Sequence, residues 1–138
     1  MNQRYSKCSE VVTHKRIVLS ENQSKITFLN PAQKEIERVT VDGCALKNGM
    51  KCDFLLIEDG GAEHFVELKG CDIDHAIDQL VTTIKILSKC SRTYIKFAYI
   101  VSSRCPLSTT KIQGLQLRFK KDFNSKLIMR KLKCEILI

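Results

Sequence analysis

The chain has 138 residues, of which 43% are hydrophobic and 28% are charged, as is common in globular proteins. This length favours one domain over residues 1–138. No apolar run approaches the roughly 18 residues that a membrane span needs, and the polar start does not resemble a signal peptide. We therefore expect a cytoplasmic protein without a membrane segment.

The first half of the chain predicts mostly strands. Hydrophobic alternation and turn residues predict a hairpin, then a segment that fits either a strand or a short helix, then a second hairpin around the Glu58-Asp59-Gly60-Gly61 turn. In chain order, these elements are Arg16–Ser20, Lys25–Leu29, Glu35–Cys44, Lys51–Ile57 and His64–Lys69.

The second half alternates helices with strands. Helical spacing of apolar residues, with Asp72 and Ser108 as N-caps, predicts two helices, and β-branched and aromatic runs predict the strands. These elements are the helix Asp72–Ser88, the strand Tyr94–Val101, the helix that follows Ser108, and the strands Leu127–Met129 and Lys133–Ile138. The order predicts an α/β (α+β) fold, a mixed sheet with helices packed against it.

The seven cysteines are odd in number and contain no CxxC pair, which argues against a disulfide framework. We expect reduced thiols. A zinc site from Cys44, Cys52 and Cys71 with His64 or His75 is an alternative, but these spacings match no common zinc module.

Charge is unevenly distributed along the chain. Residues 1–84 have a balance of −3, whereas residues 85–138 hold thirteen Lys and Arg against two acids. The basic half is a candidate surface for a polyanion, and a solvated basic face is the alternative. The cations that could follow a phosphate backbone are Arg104, Lys111, Arg118, Lys120 and Lys121.

Three charged residues in the second hairpin indicate chemistry. Glu67 and Lys69 emerge on one face of their strand, and Asp53 is the only charge between Lys51 and Glu58 on the partner strand. An acid in such an apolar strand needs an ion pair, hydrogen bonds or a metal. We therefore expect Asp53 and Glu67 to meet, although an ordinary ion pair with Lys69 would also explain them.

The expected ligand is Mg²⁺ or Mn²⁺, because two carboxylates and a backbone carbonyl, that of Leu68, are hard oxygen donors. Such an ion would activate water for phosphodiester hydrolysis, and Lys69 would orient the water or stabilise the transition state.

The pattern as a whole resembles the PD-(D/E)xK nuclease superfamily. Cys52-Asp53, an apolar strand and turn, and Val66-Glu67-Leu68-Lys69-Gly70 before an amphipathic helix carry the resemblance, over about residues 35–105. It implies a restriction-endonuclease-like fold, metal binding by Asp53 and Glu67, and assistance to the nucleophile by Lys69. Cys52 stands where the family has proline.

Further site residues follow from the same resemblance. Gln79 resembles a glutamine that some exonuclease-like branches carry on the helix, although Thr83 stands where they have tyrosine. Gln79 and His75 also fit a solvated helix flank. Many relatives use an upstream acid as another metal ligand, for which we select Glu35, with Glu37 as the alternative.

The sequence thus predicts a Mg²⁺-dependent nuclease acting on nucleic acid, with DNA as the expected substrate. A homodimer or a protein partner would supply specificity, because the chain has little room for a separate reading module. One alternative is a non-catalytic nucleic-acid-binding or regulatory subunit of the same fold in a defence or repair complex. Another is a defence- or toxin-associated nuclease switched by a partner.

Overall fold

A computed structural model describes residues 1–69, 72–88, 94–103 and 108–138, and it describes the backbone but not the side chain of Lys69. Within these ranges nine strands and two helices form a mixed α/β structure. They are β1 (Ser9–Val12), β2 (Arg16–Glu21), β3 (Ser24–Leu29), β4 (Ile36–Thr40), β5 (Phe54–Glu58), β6 (Glu63–Lys69), α1 (Ile73–Leu87), β7 (Lys96–Ser102), α2 (Thr109–Phe123), β8 (Ser125–Lys131) and β9 (Lys133–Leu137).

Six of the strands form the main sheet, in the order β1-β4-β5-β6-β7-β8. The pairs from β1 to β6 are antiparallel, whereas β6, β7 and β8 are parallel. The two parallel pairs are joined through α1 and α2, because a strand that returns in the same direction needs a crossover. This sheet matches the predicted mixed sheet.

The two helices begin at the predicted caps. The Asp72 carboxylate accepts a hydrogen bond from the backbone N–H of His75 at 3.0 Å, and the Ser108 hydroxyl accepts one from Lys111 at 3.2 Å. An apolar stripe on α1 is buried, whereas α2 buries only Phe119 and Phe123 fully. Both helices pack on one face of the main sheet. Neither described helix has the length and apolarity that crossing a membrane would require.

A second sheet, with the order β2-β3-β9, covers the other face of the main sheet. Strand alternation divides the core between the two faces: Leu55 and Phe65 pack toward the helices, and Leu56 and Val66 pack toward the second sheet. The sequence predicted strands for this sheet but did not predict that they form a separate layer. It also missed β1.

One edge of the main sheet collects the ends of the three parallel strands. Lys69, Ser102 and Lys131 are aligned in register at the ends of β6, β7 and β8, and β5 begins at the same level because Phe54 pairs with Val66. We call this the C-terminal edge. The other end of the same strands is the opposite edge, where Glu58 pairs with Ile36.

The expectation that all cysteines are reduced thiols is wrong for one pair. Cys8 and Cys44 form a disulfide across 36 positions, whereas Cys52 and Cys134 are free and buried. The pair meets because β1 packs beside β4, a long-range contact that residue spacing does not reveal. Cys71, Cys90 and Cys105 lie outside the described residues.

Candidate functional site

Asp53 lies at the C-terminal edge, immediately before β5, and is fixed by main-chain contacts. Its backbone N–H donates to the Val66 carbonyl at 3.0 Å, and its own carbonyl accepts from Val41 and Asp42 at 3.1 and 3.4 Å. Its side-chain Oδ2 accepts a hydrogen bond from the backbone N–H of Leu68 at 2.8 Å. The Asp53 carboxyl group is therefore held against the main chain of β6 at Leu68.

Glu67 follows Val66 on β6, and strand alternation turns its side chain toward the helices, the side to which Phe65 packs. Asp53 instead contacts Glu21 of the second sheet, so the expected meeting of Asp53 and Glu67 stays a prediction. The Glu67 side chain is buried. Both acids affect the Cys52 thiol. Burial raises the pKa of Cys52, and the negative charges of Glu67 and Asp53 raise it further. Both carboxyl groups are therefore close enough to Cys52 to act on it electrostatically, from neighbouring strands.

Glu21 is the site residue that sequence reasoning missed. Its carboxyl group lies within hydrogen-bonding reach of the Asp53 carboxyl group. Burial raises the pKa of Asp53, the Leu68 N–H lowers it in part, and the Glu21 charge and hydrogen bond raise it again, to about 7. Two acids that approach so closely repel each other when both are ionised. The pair therefore favours either a shared proton or a bound cation.

A signal for Glu21 was present in the sequence. Ile17, Leu19 and Glu21 share one face of β2, and the first two are buried between the sheets. An acid that continues an inward-facing apolar stripe at the end of a hairpin is a candidate for an interior contact. Which residue it meets depends on how the hairpin packs over the main sheet.

The helix α1 fixes the chain segment that precedes Asp53. The Gln79 amide donates to the Lys51 carbonyl at 3.1 Å, and the Thr83 hydroxyl accepts from the Cys52 N–H at 2.8 Å. The Thr83 hydroxyl in turn donates to the Gln79 carbonyl at 2.7 Å. Gln79 thus positions the backbone beside the site. Its Oε1 atom is buried and accepts no hydrogen bond from the described part of the chain.

Two predicted participants are located only in part. Lys69 ends β6 in register with Ser102, two residues after Glu67, but its side chain lies outside the described atoms. Leu68, predicted to offer its carbonyl to a metal, uses its N–H to bind Asp53. Arg104, a predicted phosphate contact, lies outside the described residues.

The predicted metal ligand Glu35 is not brought to this site. It precedes β4, and because β4 and β5 are antiparallel it lies near Asp59 at the opposite edge. There its carboxylate accepts a hydrogen bond from the amino terminus at 2.6 Å. The assignment of Glu35 is therefore corrected.

Glu37, the alternative upstream acid, is also engaged elsewhere. Its buried carboxylate accepts from the backbone N–H groups of Arg4 and Tyr5, both at 2.8 Å, and from the Ser9 hydroxyl at 2.7 Å. These donors give Glu37 the role of anchoring the amino-terminal segment.

The remaining predicted residues lie on helix surfaces. The half-buried His75 donates its backbone N–H to the Asp72 cap. Lys111 and Arg118 form ion pairs with Asp74 and Asp122 at 3.2 and 3.8 Å. These two pairs, together with the exposed Lys120 and Lys121, fit a solvated basic face.

The described residues offer Asp53, Glu21 and Glu67 as hard oxygen donors at one edge. Across residues 1–69, 72–88, 94–103 and 108–138, however, no three His, Cys, Asp or Glu side chains converge tightly enough to hold a metal by themselves. Comparison of the chain with protein-family models, curated proteins and solved structures finds no match. The functional assignment therefore depends on the geometry of the chain itself.

Proposed function

We propose that this chain is a metal-dependent nuclease that hydrolyses phosphodiester bonds in DNA at the C-terminal edge of its main sheet. The observation that carries the proposal is the Asp53 carboxyl group, which is held by the Leu68 N–H, is crowded against Glu21 and has its pKa raised to about 7. An acidic group in this situation is stabilised by a cation. The restriction-endonuclease-like fold implied by the resemblance is part of the same proposal.

The topology supports this fold. The antiparallel strands β4, β5 and β6 are followed by α1 and by β7, which is parallel to β6. That order agrees with the strand-turn-strand-helix-strand context of the motif. In α/β folds the carboxyl ends of parallel strands are the usual place for a ligand, and the motif residues lie at that edge.

The donor set fits Mg²⁺ without a preformed cage. Mg²⁺ usually keeps several waters and is held by one or two carboxylates together with substrate phosphates. Asp53, with Glu21 beside it, and Glu67 on the adjacent strand would provide the carboxylates, so a tight group of three protein ligands is not required. When bound, the ion would activate a water molecule and neutralise the charge that develops at phosphorus.

The chain's own groups would have separate tasks. The Leu68 N–H orients Asp53, and Gln79 and Thr83 hold the backbone that leads into it. Lys69, two residues after Glu67, is assigned to the nucleophile or the transition state, as the resemblance implies. Glu21 restrains ionisation of Asp53, so cation binding and release of the Asp53 proton are coupled.

The test is incubation of the purified protein with supercoiled plasmid, linear DNA and RNA, with and without Mg²⁺ or Mn²⁺. We expect DNA cleavage that EDTA abolishes, and a loss of at least about 100-fold in Asp53→Asn and Glu67→Gln, as for other preorganised charged groups. Glu135→Gln, which removes an exposed carboxylate paired with Arg16, is the matched control and should cleave at the wild-type rate.

A second candidate function is DNA binding without cleavage. The observation in its favour is that the described acids do not converge as a complete metal cage. If wild-type protein binds DNA in EDTA and never nicks it with either cation, the binding function replaces the nuclease proposal. Equal cleavage rates for Glu67→Gln and wild type would remove Glu67 from the site.

A further inference from the structure

Three lysines from distant parts of the sequence occupy backbone positions that lie close together at the C-terminal edge. Lys131 ends β8, Lys133 begins β9, and Lys25 near the start of β3 is the register neighbour of Lys133. Main-chain hydrogen bonds fix this arrangement, because the Leu132 N–H donates to the Ser102 carbonyl at 2.7 Å and the Leu132 carbonyl accepts from the Lys25 N–H at 2.9 Å. We call Lys25, Lys131 and Lys133 the lysine cluster.

The charge of the lysine cluster is not neutralised within the described chain. All three side chains are exposed, and none is among the ion pairs that the described residues form. Lys25 and Lys133 occupy neighbouring positions on one face of the second sheet, where like charges side by side are destabilising. An anion bound across them would relieve this repulsion.

The lysine cluster is next to the candidate site. Lys25 follows Ser24, and Ser24 pairs with Glu21 across the hairpin. Glu21 contacts Asp53, so the acid pair and Lys25 are connected through neighbouring residues at the end of the hairpin. The Lys25 side chain faces away from the main sheet, because the neighbouring Ile26 is in the core. A DNA backbone that extends from Asp53 past the end of the hairpin would therefore reach it.

We propose that the lysine cluster binds the phosphate backbone of duplex DNA on one side of the bond to be cleaved; the position of that bond rests on the proposed function. Ammonium groups bind phosphates without reading sequence, and they release condensed counterions. The exposed large hydrophobic side chains of the described residues include no aromatic ring on which an unpaired base could stack. Duplex is therefore favoured over single strands.

The test measures binding, separately from cleavage, in EDTA. Anisotropy of a short labelled duplex is recorded over a salt series for wild type and for Lys25→Ala/Lys131→Ala/Lys133→Ala. We expect the slope of log K against log salt to fall by about 2 to 3, because each phosphate contact contributes about 0.9, and low-salt affinity to drop at least about tenfold. The control triple Lys15→Ala/Lys85→Ala/Lys126→Ala removes the same charge from exposed positions away from this edge and should retain the wild-type slope.

Three results would overturn the inference: no duplex binding by wild type at low salt, an unchanged slope in the cluster variant, or an equal fall in the control triple. Tighter binding of single-stranded DNA or RNA than of duplex would overturn the choice of duplex. A wild-type protein that binds through the cluster yet never cleaves would refute the nuclease proposal and leave the binding surface intact.

Discussion

The two edges of the main sheet carry buried or half-buried acids, but the partners of these acids differ. Near the opposite edge, Glu37 accepts from three donors, and Glu63 accepts from Arg4 at 2.6 Å and from Ser88 at 2.7 Å. At the C-terminal edge, Asp53 accepts from one backbone N–H and faces another acid, Glu21. Burial alone therefore does not mark a functional carboxylate. What distinguishes Asp53 is that it has one backbone donor and lies beside a second acid.

The largest effect that tests this contrast is on stability. Glu37→Ala should lower the free energy of unfolding by about 3–4 kcal/mol, because it leaves two partly buried N–H groups and a hydroxyl without their acceptor. Denaturant titration measures this change. Glu10→Ala, at an exposed position on β1, should change stability by less than about 0.5 kcal/mol. A Glu37→Ala loss as small as this control would contradict the structural role of Glu37.

The second largest effect is expected at Asp53, where the substitution should raise stability rather than lower it. The pKa of Asp53 in the folded protein, about 7, lies above the ordinary value of 3.8. The protonated side chain therefore stabilises the fold fully below pH 3.8, and this contribution is lost as the pH rises toward 7. Asp53→Asn should therefore melt at the wild-type temperature near pH 4 and a few degrees higher above pH 7. Thermal melts over this range provide the measurement.

The Asp53→Asn variant also tests whether Asp53 binds the cation. Millimolar Mg²⁺ at pH 8 should raise the melting temperature of wild type, because an ion that binds only the folded state stabilises it, and it should leave Asp53→Asn unchanged. A melting difference that does not vary with pH would argue against a crowded Asp53. An equal response to Mg²⁺ in both proteins would argue against its role as a ligand.

The smallest effect is expected at Glu58. The hydrogen bond from His64 at 2.6 Å and the nearby Lys34 hold the pKa of Glu58 below its usual 4.5, although burial opposes them. Its stabilising contribution is complete above pH 4.5 and is lost as pH falls through the lowered pKa. Glu58→Gln should cost about 1 kcal/mol at pH 7, allowing for solvent screening, and less in acid. A cost that grows in acid would contradict this assignment.

Much of the fold could be predicted because it is encoded locally. Both helices, with their caps Asp72 and Ser108, and the strands β2, β3 and β5 to β9 follow from periodicity and turn residues. The segment that fitted either a strand or a short helix is the strand β4. The placement of Asp53 beside β6 also follows from a hairpin, which is a local structure.

What could not be predicted depends on long-range pairing. Glu21 reaches Asp53 only because β2 and β3 form a second sheet, in which β3 pairs with β9 more than a hundred residues away. The Cys8–Cys44 bond depends in the same way on β1 packing beside β4. The incorrect assignment of Glu35 as a metal ligand could have been avoided. An antiparallel pair puts the start of β4 opposite the end of β5, far from Asp53.

The Cys8–Cys44 disulfide gives the site a mechanical link to the amino-terminal segment. The Cys8 carbonyl accepts a hydrogen bond from Thr40 at 2.9 Å, and the Cys44 N–H donates to the carbonyl of Val41, whose own N–H binds the Asp53 carbonyl. The covalent bond thus fastens the outermost strand of the main sheet to the loop that supports Asp53. Movement or fraying of the amino terminus would therefore displace the loop that holds Asp53, and reduction of the disulfide by a thiol would uncouple the two segments.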